Sequence, residues 1–262
     1  MYRFTRTIKF GKDYSQSYEY YNPLASTTLL VLESDFRNRV VENGKVTDKA
    51  FAKVDKKISF ERGNVYAVVG PSGVGKTTFT YALGNFSPTW AGGITANPIL
   101  KDRSMMQYCS QDGMTVLHNV PLYKILTSQI TKAKMPSPER IEQVLRELDL
   151  WDKFGKDGRI NNPISNPSGG EQARLLLAKG MLQEAKLIIM DETLDKTSDV
   201  VFEGQEQSSR QKYRGVVTAY AKEKRAAVIC IQQDESTDWA DHVITFAKKE
   251  GSDEPAIISL TR

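Results

Sequence analysis

Residues 70–78, Gly70-Pro71-Ser72-Gly73-Val74-Gly75-Lys76-Thr77-Thr78, satisfy every fixed position of the pattern G-x-x-x-x-G-K-[ST]. The apolar run Val65-Tyr66-Ala67-Val68-Val69 leads into it, and the helix-compatible run Thr77-Thr78-Phe79-Thr80-Tyr81-Ala82-Leu83 leads out. Strand, glycine turn and helix in that order are the context a phosphate-binding loop needs. Its glycines let backbone N–H groups turn inward around phosphate oxygens, and the helix points its positive end at them. In such a loop Lys76 reaches the β- and γ-phosphates of a nucleotide, and the Thr77 hydroxyl is a ligand for Mg²⁺.

The rest of the chain reads as the sheets and helices around that loop. Residues 1–28 form a leader with Tyr14, Tyr18, Tyr20 and Tyr21, either a partner-contact arm or an extra edge strand and loop. From Thr28 the pattern is strand-like: an apolar run at 29–32, a turn at 42–45, loose alternation over 51–60 and another turn at 61–64. This predicts an antiparallel sheet leading into a parallel one. Residues 112–165 read as mostly helical, with Ile141, Val144, Leu145 and Leu148 on one face and Pro136-Ser137-Pro138 as a start signal. A polar loop (155–166), a helix (171–183), a buried strand (187–190), a helix (roughly 204–225) and a buried strand (227–232) follow. Strands alternating with helices argue for a parallel α/β core.

Two later segments carry chemistry. The strand Leu187-Ile188-Ile189-Met190 ends in Asp191-Glu192, a Walker B arrangement. Asp191 is placed to hold Mg²⁺, directly or through water, and Glu192 to orient and polarise the attacking water. About twenty residues earlier stands Ser168-Gly169-Gly170-Glu171-Gln172-Ala173-Arg174, a polar glycine turn opening a helix. Ser168 can cap that helix with Glu171 as its capping-box partner, and the exposed N–H groups make a second anion site.

This second turn resembles the LSGGQ signature of ABC-type ATPases. The resemblance covers roughly residues 28–250. It implies a P-loop NTPase core of ABC type, with an antiparallel β-subdomain and a helical subdomain inserted at about 112–170. The leader 1–28 then precedes one ATP-binding domain, 29–262. It further implies ATP and Mg²⁺ as ligands, and a second ABC ATPase subunit whose nucleotide faces Ser168, Gly169 and Gly170. Gln111 matches the family's Q-loop glutamine, which senses Mg²⁺ and the attacking water. Residues 113–120 are similar to the segment that meets coupling helices of membrane subunits, and His118 there is either a partner contact or a surface or packing residue. Phe36 lies where the family has an aromatic residue stacking on adenine; Phe51 competes for the role, and either can be core.

The sequence departs from the family pattern at three places. Pro167 and Glu171 replace the usual leucine and glutamine of the signature. A carboxylate beside a γ-phosphate site fits only if it points away or caps the backbone. Gln233 stands at the position of the switch histidine. An amide can hydrogen-bond a phosphate oxygen but carries no charge, which predicts slow hydrolysis. In the D-loop, Asp195 and Asp199 both match the family aspartate, one by its Leu-Asp pair and the other by spacing.

Composition narrows the partners. With 262 residues, 40% hydrophobic and 26% charged, the chain can build a sizeable core. A net charge of +4 suits nucleotide or an anionic membrane surface and does not demand nucleic acid. Cys109 and Cys230 read as buried thiols of a reducing compartment, and a zinc site is not expected. The N-terminus lacks a signal-peptide core, and the longest apolar runs are too short to span a bilayer. The expectation is a cytoplasmic ATPase, peripheral on a membrane face through integral membrane subunits.

Overall fold

The computed structural model describes residues 4–9, 15–20, 27–33, 35–42, 45–84, 90–91, 94–110, 120–165, 167–194, 207–233, 236–248 and 254–261. In chain order the strands and α-helices are β1 (Phe4–Lys9), β2 (Ser15–Tyr20), β3 (Thr28–Leu32), β4 (Phe36–Glu42), β5 (Lys45–Val54), β6 (Ile58–Glu61), β7 (Val65–Val69), α1 (Lys76–Gly84), β8 (Trp90–Ala91), β9 (Ile94–Ala96) and β10 (Met106–Cys109). They continue with α2 (Leu122–Thr127), α3 (Pro138–Glu147), α4 (Gly169–Leu182), β11 (Leu187–Asp191), α5 (Ser209–Lys224), β12 (Ala227–Ile231), β13 (His242–Ala247) and β14 (Ala256–Leu260).

Two sheets form. The larger runs β10-β11-β12-β7-β13-β14-β5-β4-β8, and the smaller β1-β2-β9-β3-β6. From β10 to β13 the larger sheet is parallel; β14 pairs antiparallel with β13, and β4 and β5 make an antiparallel hairpin. The leader supplies two strands: β1 pairs with β2, and β2 runs parallel to β9 through Glu19 and Thr95.

The central strands β7, β11 and β12 are almost wholly apolar, Asp191 at the end of β11 apart, because both faces are covered. Successive side chains point to opposite sides. Val65, Ala67, Ile188, Met190, Val228 and Cys230 pack toward α2, α3, α4 and α5. Tyr66, Val68, Leu187, Ile189, Ile229 and Ile231 pack toward α1 and the second sheet. Both cysteines are buried.

Local chemistry sets the helix starts. Pro138 opens α3, and Ser137 Oγ accepts from the Arg140 N–H. Ser208 and Gln211 form a capping box that starts α5 at Ser209, later than the apolar pattern alone suggests. The expected polar loop at 155–166 is partly helical: a 3₁₀ segment covers Lys156–Asn161, broken where Asp157 and Gly158 take positive φ.

Candidate functional site

The parallel strands point their C-terminal ends to one edge of the sheet, the edge at which open α/β sheets bind ligands. There β7 runs into the glycine loop, β11 ends in Asp191, and β12 leads to Gln232 and Gln233.

The loop's shape depends on what its glycines lack. Gly70 has φ +149, and a Cβ there would lie 2.6 Å from the Phe246 carbonyl oxygen. Gly75 has φ +106, and its Cβ would lie 3.0 Å from the Phe51 ring. Lys76 is buried and arches back over the loop, its Nζ donating to the carbonyls of Gly70 (2.7 Å) and Pro71 (3.0 Å). Val74 is buried, while Pro71, Ser72, Gly73 and Thr77 are exposed and Thr78 is half-buried.

Asp191, 114 residues from Thr77, accepts a long 3.3 Å contact from the Thr77 hydroxyl at Oδ1. Its Oδ2 accepts from the Tyr108 hydroxyl at 3.1 Å. Burial pushes the Asp191 carboxyl above the usual carboxylate range; the Tyr108 and Thr77 hydrogen bonds pull it back in part. A hydroxyl and one carboxylate fit Mg²⁺, which takes one or two carboxylates together with waters and substrate phosphates. Among the described residues no cluster of three His, Cys, Asp or Glu could hold a metal by itself. Glu192 sits just past the strand in the left-handed region, at φ +49, its N–H donating to the Ile231 carbonyl (3.2 Å). Such a conformation costs a non-glycine residue about 1 kcal/mol or more and clusters at working sites.

Gln233 is exposed and lines a cavity of ≈ 640 Å³ with Gly70, Ser72, Lys76, Thr237 and Phe246. The buried Gln232 anchors this stretch: its Nε2 donates to the Ser236 carbonyl (2.9 Å), and its Oε1 accepts from Trp239 Nε1 (3.2 Å). Arg214 of α5 lies over the Trp239 ring and reaches Ser236 Oγ at 3.3 Å. A larger cavity of ≈ 780 Å³ lies at the other end of β10 and β11, bordered by Ile99, Met105 and Lys186. It contains none of the phosphate-loop or strand-end groups, so its size does not make it the chemical centre.

At the second glycine turn, Ser168 Oγ accepts from the Glu171 N–H (3.2 Å), and Glu171 Oε2 accepts from the Ser168 N–H (2.7 Å). Lys153 Nζ donates to both Glu171 oxygens at 2.7 Å. Burial alone would raise the Glu171 carboxyl, but the Lys153 ammonium and the Ser168 hydrogen bond hold it below the usual range. The carboxylate that departs from the family pattern therefore serves as the helix cap. The Pro167 carbonyl accepts from Gln172 Nε2 at 3.1 Å.

One expected residue is corrected. Phe36 is fully buried on β4, its ring 5.2 Å from Phe79 and 5.9 Å from Phe51. Its faces are spent on the core, so it is not an adenine platform; Phe51, half-buried against Gly75, is an aromatic beside the loop, as is Phe246 against Gly70. Gln111, His118 and both D-loop candidates, Asp195 and Asp199, lie outside the described residues. Sequence reading missed Tyr108 and the Gln232–Trp239–Arg214 anchor. A tyrosine on the short strand just before Gln111 was the available signal for the first.

The family described as ABC transporter matches residues 55–195, more than half of the chain. The chain belongs to the ABC transporter family. Its ABC-type nucleotide-binding domain is similar to the phosphate import ATP-binding protein PstB of Tropheryma whipplei (strain Twist), 27% identical over 220 residues, 76% of this chain and 81% of that one. PstB of Staphylococcus saprophyticus is 30% identical over 184 residues, 63% and 62% of the two chains. An ATP-dependent lipid A-core flippase of Burkholderia pseudomallei is 27% identical over 146 residues, 52% of this chain and 24% of the flippase. Among solved structures, cbiO1 from Clostridium perfringens, part of the ABC transporter complex cbiONQ, superposes with a TM-score of 0.61 at 19% identity, covering 84% of each chain. That likeness establishes the α/β P-loop architecture of the ABC type.

Proposed function

We propose that this ABC-family chain binds and hydrolyses Mg-ATP as one half of a dimer, and that the dimer drives a membrane transporter or other membrane-anchored translocation complex. One observation carries the reading: the glycine loop meets the acidic end of β11, with Thr77 at 3.3 Å from Asp191, and Gln233 lines the same cavity as the loop.

In this reading the N–H groups of residues 72–78 hold the phosphates, and Lys76 exchanges its carbonyl partners for β- and γ-phosphate oxygens. Thr77 and Asp191 would hold Mg²⁺, with Gln111, and the ion supplies charge neutralisation at the phosphate oxygens. Glu192 accepts a hydrogen bond from the attacking water and draws its proton as the oxygen attacks the γ-phosphorus, while the bond from that phosphorus to the β–γ bridging oxygen breaks and ADP leaves with its electron pair. Gln233 donates its amide to a γ-phosphate oxygen. The turn Ser168-Gly169-Gly170 of a second subunit closes over the nucleotide. Closure and reopening move the attached subunits as rigid bodies. Among the described residues no helix is long and apolar enough to cross a membrane; integral membrane subunits provide the passage and hold this chain at the cytoplasmic face. PstB and the flippase, named for import and for flipping, support the transport assignment.

The test is Glu192→Gln. Phosphate release should fall by about 10²–10⁴, and with Mg-ATP the variant should elute as a dimer and co-purify with multi-span membrane proteins from solubilised native membranes. Wild-type turnover in the variant would remove Glu192 from its role. Recovery of soluble partners alone would move the chain to a non-transport assembly. Gln233 favours a second reading, an ATP-gated dimerisation module that seldom hydrolyses; it predicts an ATP-dependent wild-type dimer without measurable phosphate release.

A further inference from the structure

Among the described residues, Tyr108 contacts the Asp191 carboxylate from outside both the loop motif and the acidic strand end. It lies on β10 opposite Ile189 of β11, so its hydroxyl reaches along the shared face to Asp191, two residues on. On its other side the phenol lies against α1: its Oη is 3.3 Å from Thr80 Oγ1, and its ring lies 5.3 Å from that of Tyr81. Thr80 spends its own proton on the Thr77 carbonyl at 2.9 Å. The phenol's single proton goes to the stronger acceptor, the carboxylate.

This arrangement divides the two carboxylate oxygens. Oδ2 is occupied by Tyr108, and Oδ1 faces the Thr77 hydroxyl. Mg²⁺ binds a carboxylate through one oxygen and keeps its waters, whereas Ca²⁺ commonly takes both oxygens in a looser shell. We propose that Tyr108 is a positioning residue that holds Asp191 for one-oxygen ligation and so sets the preference of the site for Mg²⁺ over Ca²⁺. The proposal rests on the Mg-ATP reading above. Partners of this kind orient a ligand, and losing one weakens metal binding by about 10–100-fold.

The experiment is Tyr108→Phe in the full chain, with Mg²⁺ and Ca²⁺ competing against Mn²⁺ by electron paramagnetic resonance in the presence of a non-hydrolysable ATP analogue. The variant should lose about tenfold in Mg²⁺ and Mn²⁺ affinity and change by no more than about threefold for Ca²⁺. Equal weakening of all three ions, or no change, overturns the proposal. Thr80→Val provides a second arm: Tyr108 keeps its bond to Asp191, and the Mg²⁺ preference should stay at the wild-type ratio. If Thr80→Val narrows that ratio as far as Tyr108→Phe does, selectivity does not reside in Tyr108. A wild-type chain that takes up neither ion with the analogue fails the Mg-ATP reading itself, a result distinct from either variant's.

Discussion

Two glycine turns in this chain each open a helix, and they solve the anion problem differently. In the first, Gly70, Gly73 and Gly75 all take positive φ, and α1 has no acidic residue in its first turn. The backbone is bent into a cradle whose N–H groups can point at one centre. In the second, Gly169 and Gly170 lie inside α4, and the first-turn N–H groups already have a carboxylate nearby, that of Glu171. The same residue types thus give an open backbone nest in one place and a self-capped helix end in the other. Under the proposed function, a γ-phosphate reaching the second turn meets a site where Glu171 is bonded to Ser168 and Lys153. It must share or displace that bonding, so the second turn is the conditional half of the sandwich.

The largest expected effect falls on the first turn. Lys76→Ala removes the buried ammonium that arches over Gly70 and Pro71. Phosphate release should drop by about 10²–10³, the scale of losing one preorganised transition-state contact. Nucleotide titration should show weaker binding as well, because under the proposed function the lysine contacts the ground-state phosphates too. Affinity within about threefold of wild type would mean the nest alone carries binding, and the contrast between the two turns would rest on backbone shape rather than charge.

A smaller effect is expected opposite the loop, at Gln233. Gln233→His places a chargeable ring where a neutral amide lines the phosphate-loop cavity. Turnover should rise by about tenfold, equivalent to ~1.4 kcal/mol of barrier, with dimerisation by ATP retained. The anchor formed by Gln232, Ser236 and Trp239 fixes the loop on which the new ring would sit. A dimer whose turnover is unchanged or lower would show that the histidine position is not what limits this enzyme.

The contrast also explains what was legible from the sequence. Both turns and the strand ending at Asp191 are local signals: their residues are neighbours in the chain, and their geometry follows from short spacing. Phe36 was not legible in the same way. A strand aromatic looks alike whether its ring faces ligand or core, and the β4–β5 register shifts between Phe36 and Arg37, where a one-residue slip decides the face. Tyr108 needed the pairing of β10 with β11 to bring it to a carboxylate 83 residues away. For the leader the sequence offered a partner-contact arm or an extra edge strand and loop; that it supplies two strands, β1 paired with β2 and β2 with β9, needed the pairing itself. Glu171 shows the reverse: a departure from the signature was visible, and its capping spacing was too, but the neutralising Lys153 comes from a short π-helical segment 18 residues upstream.

Glu171→Gln is the smallest perturbation and the sharpest probe of the second turn. A glutamine at that position keeps an oxygen for the Ser168 N–H but loses the charge that binds Lys153. The cap persists in weakened form and the ion pair is lost, so the stability cost should be about 0.5–1 kcal/mol at neutral pH. Because the folded-state carboxyl of Glu171 is held below its usual value, its contribution is present above about pH 4.3 and fades as pH falls through the lower folded value. Thermal melts of wild type and variant should therefore differ at pH 7 and converge in acid. If the second turn is conditional because Glu171 occupies it, the same substitution should also ease closure: ATP-dependent dimerisation in a Glu192→Gln background should need less nucleotide, by about threefold for each ~0.65 kcal/mol released. A stability loss without that gain would leave Glu171 as a cap alone, and the two turns would differ in shape but not in role.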